Sequence, residues 1–178
     1  MKMEILNKLS KLVEKTAKTV WLNNISNDYI LGRLYREASL QDCFYYHMRR
    51  ELGDSTLDYF KMFIYPEYYY QGKYVDMAIL VKQEELEVPI AIFEFKYLDS
   101  TNDKLFYADV SKVVDYIKND TICKFFLGFI QEVEYDYPEN FSWLNNNQKL
   151  LAAGRVIEMT GGFCKPNEDK SHWFIKST

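Results

Sequence analysis

The stretch "YVDMAILVKQEELEVPIAIFEFKYLDS", Tyr74–Ser100, decides how this chain is read. Two apolar runs flank the polar segment "QEELE", which makes a short turn, and a short turn between strands implies antiparallel pairing. Side chains alternate faces along a strand. Ile90, Ile92, Glu94 and Lys96 therefore share one face of the second run, and Ala91, Phe93, Phe95 and Tyr97 share the other. Both faces are apolar up to Glu94, so the strand is expected to be covered on both sides. In the first run, Asp76 shares its face with Ala78 and Leu80, while Val75, Met77 and Ile79 point the other way. The start of one strand lies beside the end of the next. The turn therefore brings Asp76 and Glu94 together at the open end of the hairpin.

Two neighbouring carboxylates repel, and a buried charge costs several kcal/mol unless it is compensated. A divalent cation compensates both, and hard oxygen ligands with positions left for water and phosphate suit Mg2+ or Mn2+. Lys96, two residues on, points at whatever such a cation holds. A plainer reading stays open: Glu94 and Lys96 form a same-face ion pair, and Asp76 caps a turn.

Outward from the hairpin, "YFKMFIYPEYYY" is rich in aromatic residues and ends at the turn signal Gln71-Gly72-Lys73, so a third strand precedes the pair. Downstream, Leu105, Phe106, Val110, Val113, Val114 and Ile117 recur at helical spacing, and "ICKFFLGFI" reads as a buried strand. Strand, helix and strand in that order predict a right-handed parallel crossover. Upstream, Ser39 followed by Asp42 has the form of a capping box and predicts a helix from about Leu40 to Leu52, stopped by Gly53. Another helical stretch starts near Asn27-Asp28, and its continuity with that helix is left open. The N-terminus places Ile5, Leu9, Leu12 and Val13 at helical spacing among Lys and Glu, as an amphipathic helix packed on the domain. The C-terminal part reads as a helix around 145–153 and strands "RVIEMTGGF" and "HWFIKS".

At 178 residues the chain suits one domain. Its parts are an N-terminal helical extension over 1–36, a core over 37–131, and a C-terminal helix with strands over 132–178. The expected class is α/β or α+β, with a mixed central sheet flanked by helices: an antiparallel meander plus a parallel crossover strand. The net charge of −4 does not indicate a bulk-basic nucleic-acid binder. Cys43, Cys123 and Cys164 are far apart and form no CxxC pair, which argues against a disulfide framework or a zinc site. They suit free thiols in a reducing compartment, so a cytoplasmic protein is expected. No apolar run is long enough to span a bilayer.

Asp76 on one strand, followed by Glu94-Phe95-Lys96 on the next, resembles the PD-(D/E)XK nuclease superfamily, whose fold is restriction-endonuclease-like. The resemblance covers about Glu37 to Ile130, including the helix before the hairpin and the crossover helix after it. The proline that names the motif is absent, Val75 standing before Asp76. The resemblance implies a Mg2+- or Mn2+-dependent phosphodiesterase acting on nucleic acid, DNA first, and leaving 5′-phosphate and 3′-hydroxyl ends. It implies that Asp76, Glu94 and the Phe95 backbone carbonyl hold the metal, with Lys96 beside it. A further acid on the first helix completes such sites. Glu37 is the best candidate, Glu51 the runner-up and Glu67 a weaker one. Gln41, one turn after Glu37, and Lys112 are candidates for supporting or phosphate contacts.

Other residues carry less. His47 sits mid-helix among aromatic residues and reads as a packed side chain, and His172 has no motif around it. Tyr68, Tyr69 and Tyr70 have faces on which bases stack, but strand tyrosines are more often core and rim. Lys104, Lys112 and Lys118 are candidates for phosphate contacts, although helix lysines are usually solvated. Gly161-Gly162 lacks the lysine and the following helix of a phosphate loop. Two rival functions remain: a non-cleaving nucleic-acid-binding or assembly module that keeps the fold, and, more weakly, a two-carboxylate glycosidase, in which Lys96 has no role. The oligomeric state is open, a homodimer included.

Overall fold

The computed structural model describes residues 3–133, 140–164 and 170–178. The six strands are β1 (Met62–Tyr70), β2 (Lys73–Gln83), β3 (Leu86–Leu98), β4 (Lys124–Gln131), β5 (Val156–Cys164) and β6 (Ser171–Ser177). They form one sheet in the order β1-β2-β3-β4-β5-β6. β1, β2 and β3 pair antiparallel, as the short turns require. Gln71 and Gly72, with φ of 46° and 88°, make the first turn, a conformation in which glycine has no Cβ penalty. The second turn is tighter than the sequence suggests. Gln83 pairs with Leu86, so only Glu84 and Glu85 lie in it.

β4 pairs parallel to β3, and α5 (Lys104–Asn119) crosses between them as expected. A second crossover follows, with α6 (Asn146–Ala152) lying between β4 and β5, which also pair parallel. β6 closes that side antiparallel to β5. The molecule is thus α+β, with a mixed six-stranded sheet flanked by helices.

One face of the sheet is covered by the N-terminal helices. α1 (Met3–Thr19) runs through one π-helical stretch, Val20–Ile25, into α2 (Ser26–Ile30). The stretch near Asn27-Asp28 therefore continues the first helix, and residues 31–36 separate it from α3 (Glu37–Leu52). The short α4 (Asp54–Phe60) leads into β1. The buried stripe of α1 is Leu6, Leu9, Val13 and Ala17, and the expected Ile5 and Leu12 are exposed on its flanks. With Trp21, Phe44 and Met48, this stripe packs on Phe93, Phe95 and Phe126. Residues 3–36 thus supply part of the core.

Helix α3 starts earlier than the Ser39–Asp42 pattern predicts. Arg36 is its N-cap and Ser39 lies inside the first turn. The Ser39 hydroxyl reaches back, accepting from the Tyr35 and Arg36 N–H groups and donating to the Arg36 carbonyl at 2.7 Å. The serine is used at the right place but from the opposite side, since a hydroxyl both donates and accepts.

On the other face, α5 buries Phe106, Val110, Val113, Tyr116 and Ile117 against Ala78, Leu80, Ile92, Phe125 and Leu127. Leu105 is exposed instead. Two residues of the hairpin depart from simple alternation. Ile79 faces Ala91 while Leu80 faces Pro89, so Ile90 is the extra residue of a bulge and joins the core on the N-terminal-helix side. Val75 packs on the α5 side. Beside it the β1–β2 register runs unbroken, Pro66 with Met77 and Tyr68 with Val75, so Glu67, with a φ of 51°, stands at the step of Asp76 without pairing.

Cys123 is buried and Cys43 half-buried, both as free thiols, and the Cys164 side chain lies outside the described residues. Among the described residues no helix is long and apolar enough to cross a membrane.

Candidate active site

The β2–β3 ladder runs as far as Met77 opposite Phe93, and the next step of that register sets Asp76 opposite Glu94. Here backbone pairing gives way to a side chain: the Phe95 N–H donates to Asp76 Oδ2 at 2.6 Å. In an extended strand the N–H and C=O of one residue face the same neighbour. The Phe95 carbonyl therefore also faces the β2 side, where the ladder has ended. Its ring leaves the sheet on the face opposite Glu94, into the core with Phe44 and Phe93.

Glu94 is buried, 1% exposed, and lies on the face covered by α5. Lys112, one of the surface candidates of the sequence, is in fact inside the site. Its Nζ lies 2.8 Å from the Glu94 carboxylate, hydrogen-bonds Oε2, and donates to the Tyr74 carbonyl at 2.7 Å. The 2.8 Å ion pair is to Glu94 Oε1, so the one ammonium bridges both carboxylate oxygens, and buried Oε1 has no other partner. Lys96 does not pair with Glu94. Its Nζ is 2.8 Å from Glu37 Oε2 and 3.5 Å from Asp109 Oδ2. The plain reading of Glu94 and Lys96 as each other's partner does not describe this site.

Glu37, the first residue of α3, is thus brought to the site, and Gln41 follows one turn later, half-buried. Glu51 lies near the other end of α3, roughly 21 Å along the axis, and is bonded to Arg50. Glu67 is exposed on β1. Of the three acids considered for completing the site, the geometry brings Glu37 to Lys96.

Asp109 was not foreseen. With Lys112 and Tyr116 it occupies positions i, i+3 and i+7 of α5, one face of the helix. The signal was present: these residues flank the apolar stripe on the side turned to β3. Tyr116 Oη is buried without a hydrogen-bond partner, and buried Asp109 Oδ2 has only the Lys96 ammonium, at 3.5 Å.

The electrostatics are those of an acid cluster. Burial first, and then repulsion from Glu37 and Asp109, push Asp76 up to about 6 against the bond from Phe95. Burial and the neighbouring Asp76 push Glu94 up to about 8, although Lys112 opposes them. Burial also raises Asp109, against the pull of Lys96 and Lys112. Lys96 is desolvated, yet Glu37 and Asp109 hold it above the ordinary lysine range. Burial, with Glu94, Asp109 and Asp76 nearby, keeps the Tyr116 phenol protonated. Four carboxyls face two ammonium groups. Fully ionised, the cluster lacks two positive charges, the charge of one divalent cation.

Other buried acids show what a structural role looks like. Glu158 accepts from Ser142 Oγ at 2.8 Å and from the Trp143 N–H at 2.6 Å, fixing the loop before α6. Asp28 holds Arg33 at 2.9 Å and the buried His47 at 2.7 Å. His47 is therefore a packed, bonded side chain tying α2 to α3, as its surroundings in the sequence suggest.

Among the described residues no group of three or more His, Cys, Asp or Glu side chains converges as a ready cation cage. Asp76, Glu94 and the Phe95 carbonyl at the end of the ladder are all hard oxygens, and the position on Glu94 is already taken by a cation, the Lys112 ammonium. This set fits a cation such as Mg2+ that keeps several of its waters. A surface pocket of about 450 Å³ lined by Tyr59, Lys61, Lys82 and Leu86 lies at the turn end of the β2–β3 hairpin, away from these acids.

The remaining candidates are outside the cluster. Lys118 is exposed and pairs with Asp115, and Lys104 is exposed at the start of α5. Tyr70 is buried and bonds Asp120, Tyr69 is exposed, and half-buried Tyr68 stacks on Tyr65, which stacks on Phe63. His172 lies on β6. Compared with known proteins, the chain finds no significant match among family models, curated proteins or solved structures.

Proposed function

We propose that the chain is a metal-dependent nuclease with a restriction-endonuclease-like core, hydrolysing phosphodiester bonds, of DNA in the first instance. The observation that carries this is the pairing of Asp76 with Glu94 at the end of the β2–β3 ladder, both with raised pKa values, beside Lys96. Perturbed carboxyls clustered around a lysine are a mark of functional sites. Asp76, Glu94 and the Phe95 carbonyl would hold Mg2+ or Mn2+. Such an ion, when bound, lowers the pKa of a water and neutralises charge on a phosphate.

The chain's own groups do the rest. Glu37 and Asp109 hold the Lys96 ammonium on the site's side of β3. There it orients a water or meets negative charge developing on the scissile phosphate. Asp76 and Glu94 draw a cation in by their mutual repulsion. Tyr116 keeps a phenolic proton available as a donor at the α5 wall.

The test is cleavage of mixed single- and double-stranded DNA and RNA with Mg2+, Mn2+ or EDTA, using wild type and Asp76→Ala. Cation-dependent hydrolysis lost in Asp76→Ala supports the proposal. Absence of hydrolysis on every substrate and cation sinks it. A second reading, a non-cleaving nucleic-acid-binding module that keeps this core, is favoured by one observation: Lys112 already sits on Glu94.

A further inference from the structure

Lys112 is the residue that the proposed reaction leaves without a role, and its position is unusual. A lysine on a helix ordinarily extends its ammonium into water. Here the ammonium is turned inward between a 1%-exposed carboxylate and a main-chain carbonyl, that of Tyr74, two residues before Asp76. It is a monovalent cation lodged among the oxygens that would receive a divalent one. Glu158 and Asp28 are buried acids satisfied by fixed partners. Glu94 instead has both of its oxygens on the single Lys112 ammonium, at 2.8 Å each, where the other two acids hold several separate donors.

We infer that Lys112 is a built-in competitor of the metal: its ammonium occupies the cation position on Glu94 in the resting protein, and a divalent cation binds by expelling it. This rests on the nuclease reading of the site and adds its regulation. Exclusion is reciprocal, so whatever loosens Lys112 tightens the metal, and the metal in turn loosens Lys112. The long stem of lysine allows the swing without moving α5. The expelled ammonium is left at the rim of the site, on the same side as Lys96, where a phosphodiester would be held. Loading the cation thus also releases a positive charge for substrate.

The experiment is titration of Mg2+ alone, without nucleic acid, into wild type and Lys112→Met by calorimetry. Removing Lys112 lets protons compete harder for Glu94, so the titration is run at about pH 8.5. Lys112→Met is expected to bind at least about tenfold more tightly than wild type, because a like charge at the site has gone. Lys112→Arg, which keeps the charge, stays weak. A wild-type measurement guards against a misfolded variant: an amine-reactive reagent labels Lys112 slowly in EDTA and severalfold faster with saturating Mg2+. Equal affinity of wild type and Lys112→Met, or labelling indifferent to Mg2+, overturns the inference and leaves the nuclease proposal standing. Binding by Lys112→Met with none by wild type supports the inference and removes the nuclease proposal. Binding by neither, up to millimolar Mg2+, overturns both.

Discussion

The acid pair should make the metal-free protein less stable as pH rises. Asp76 is held at about 6 and Glu94 at about 8, against ordinary values of 3.8 and 4.5. Both native carboxyls keep their protons more tightly than the unfolded chain does. Below the unfolded values both states are protonated and nothing is lost. Between the unfolded and native values the unfolded chain sheds protons that the native state retains, so stability falls, and the loss is complete once pH passes about 8. At about 1.4 kcal/mol per pKa unit, Asp76 contributes roughly 3 kcal/mol and Glu94 roughly 5. Burial leads both shifts and the mutual repulsion enters only that of Glu94, so the joint loss is on the order of 5–8 kcal/mol, a large part of the 5–15 kcal/mol of an ordinary domain. Asp28 and Glu14, lowered by their partners, act at lower pH and with the opposite sign. Urea unfolding in EDTA from about pH 5 to about pH 9 reads the slope, with a constant m-value as the check on two-state behaviour. Saturating Mg2+ should flatten it, and Glu94→Gln should remove the part between about pH 6 and about pH 8, where Glu94 alone contributes. A flat wild-type profile in EDTA, or an undiminished slope in Glu94→Gln, refutes the reasoning.

Four further outcomes are expected. Lys96→Ala should leave Mg2+ binding intact, since a cation is no ligand for a cation, and lower cleavage on the order of 10²-fold or more. Asp76→Ala should lose both, as calorimetry and a cleavage assay together would record. Tyr116→Phe removes a buried hydroxyl that has no partner, so it should keep or raise stability by about 1 kcal/mol, and a clear fall in Tm would show that the hydroxyl is bonded. Gly128→Ala puts a Cβ 2.5 Å from the Phe95 ring and 3.3 Å from Trp21. It should cost about 1–3 kcal/mol, and unchanged thermal unfolding would contradict the packing behind β3.

The parts of this architecture legible in the sequence are those governed by local period and short turns. The alternation of "IAIFEFK", the turn signals and the stripe of α5 foretell the meander, the parallel crossover and the meeting of Asp76 with Glu94. What stayed hidden depends on where elements pack. No local pattern marks the extra residue at Ile90, because a bulge is set by how two strands share a twisted sheet. The buried stripe of α1 was misplaced because Ile5 and Leu6 are equally apolar, and only the sheet beneath decides which one is covered. Lys112 reads as a solvated helix lysine until α5 is laid across β3. Asp109 was overlooked for the same reason: its partner Lys96 is thirteen residues earlier, on another element.

The central claim is that Asp76 and Glu94 form a cation site. Crystals soaked in Mn2+ and measured for anomalous scattering test it most directly. The account predicts a peak between the Asp76 and Glu94 carboxyls, near the Phe95 carbonyl, with the Lys112 ammonium displaced from Glu94. No peak there, with Lys112 still bonded to Glu94 at saturating Mn2+, would contradict it.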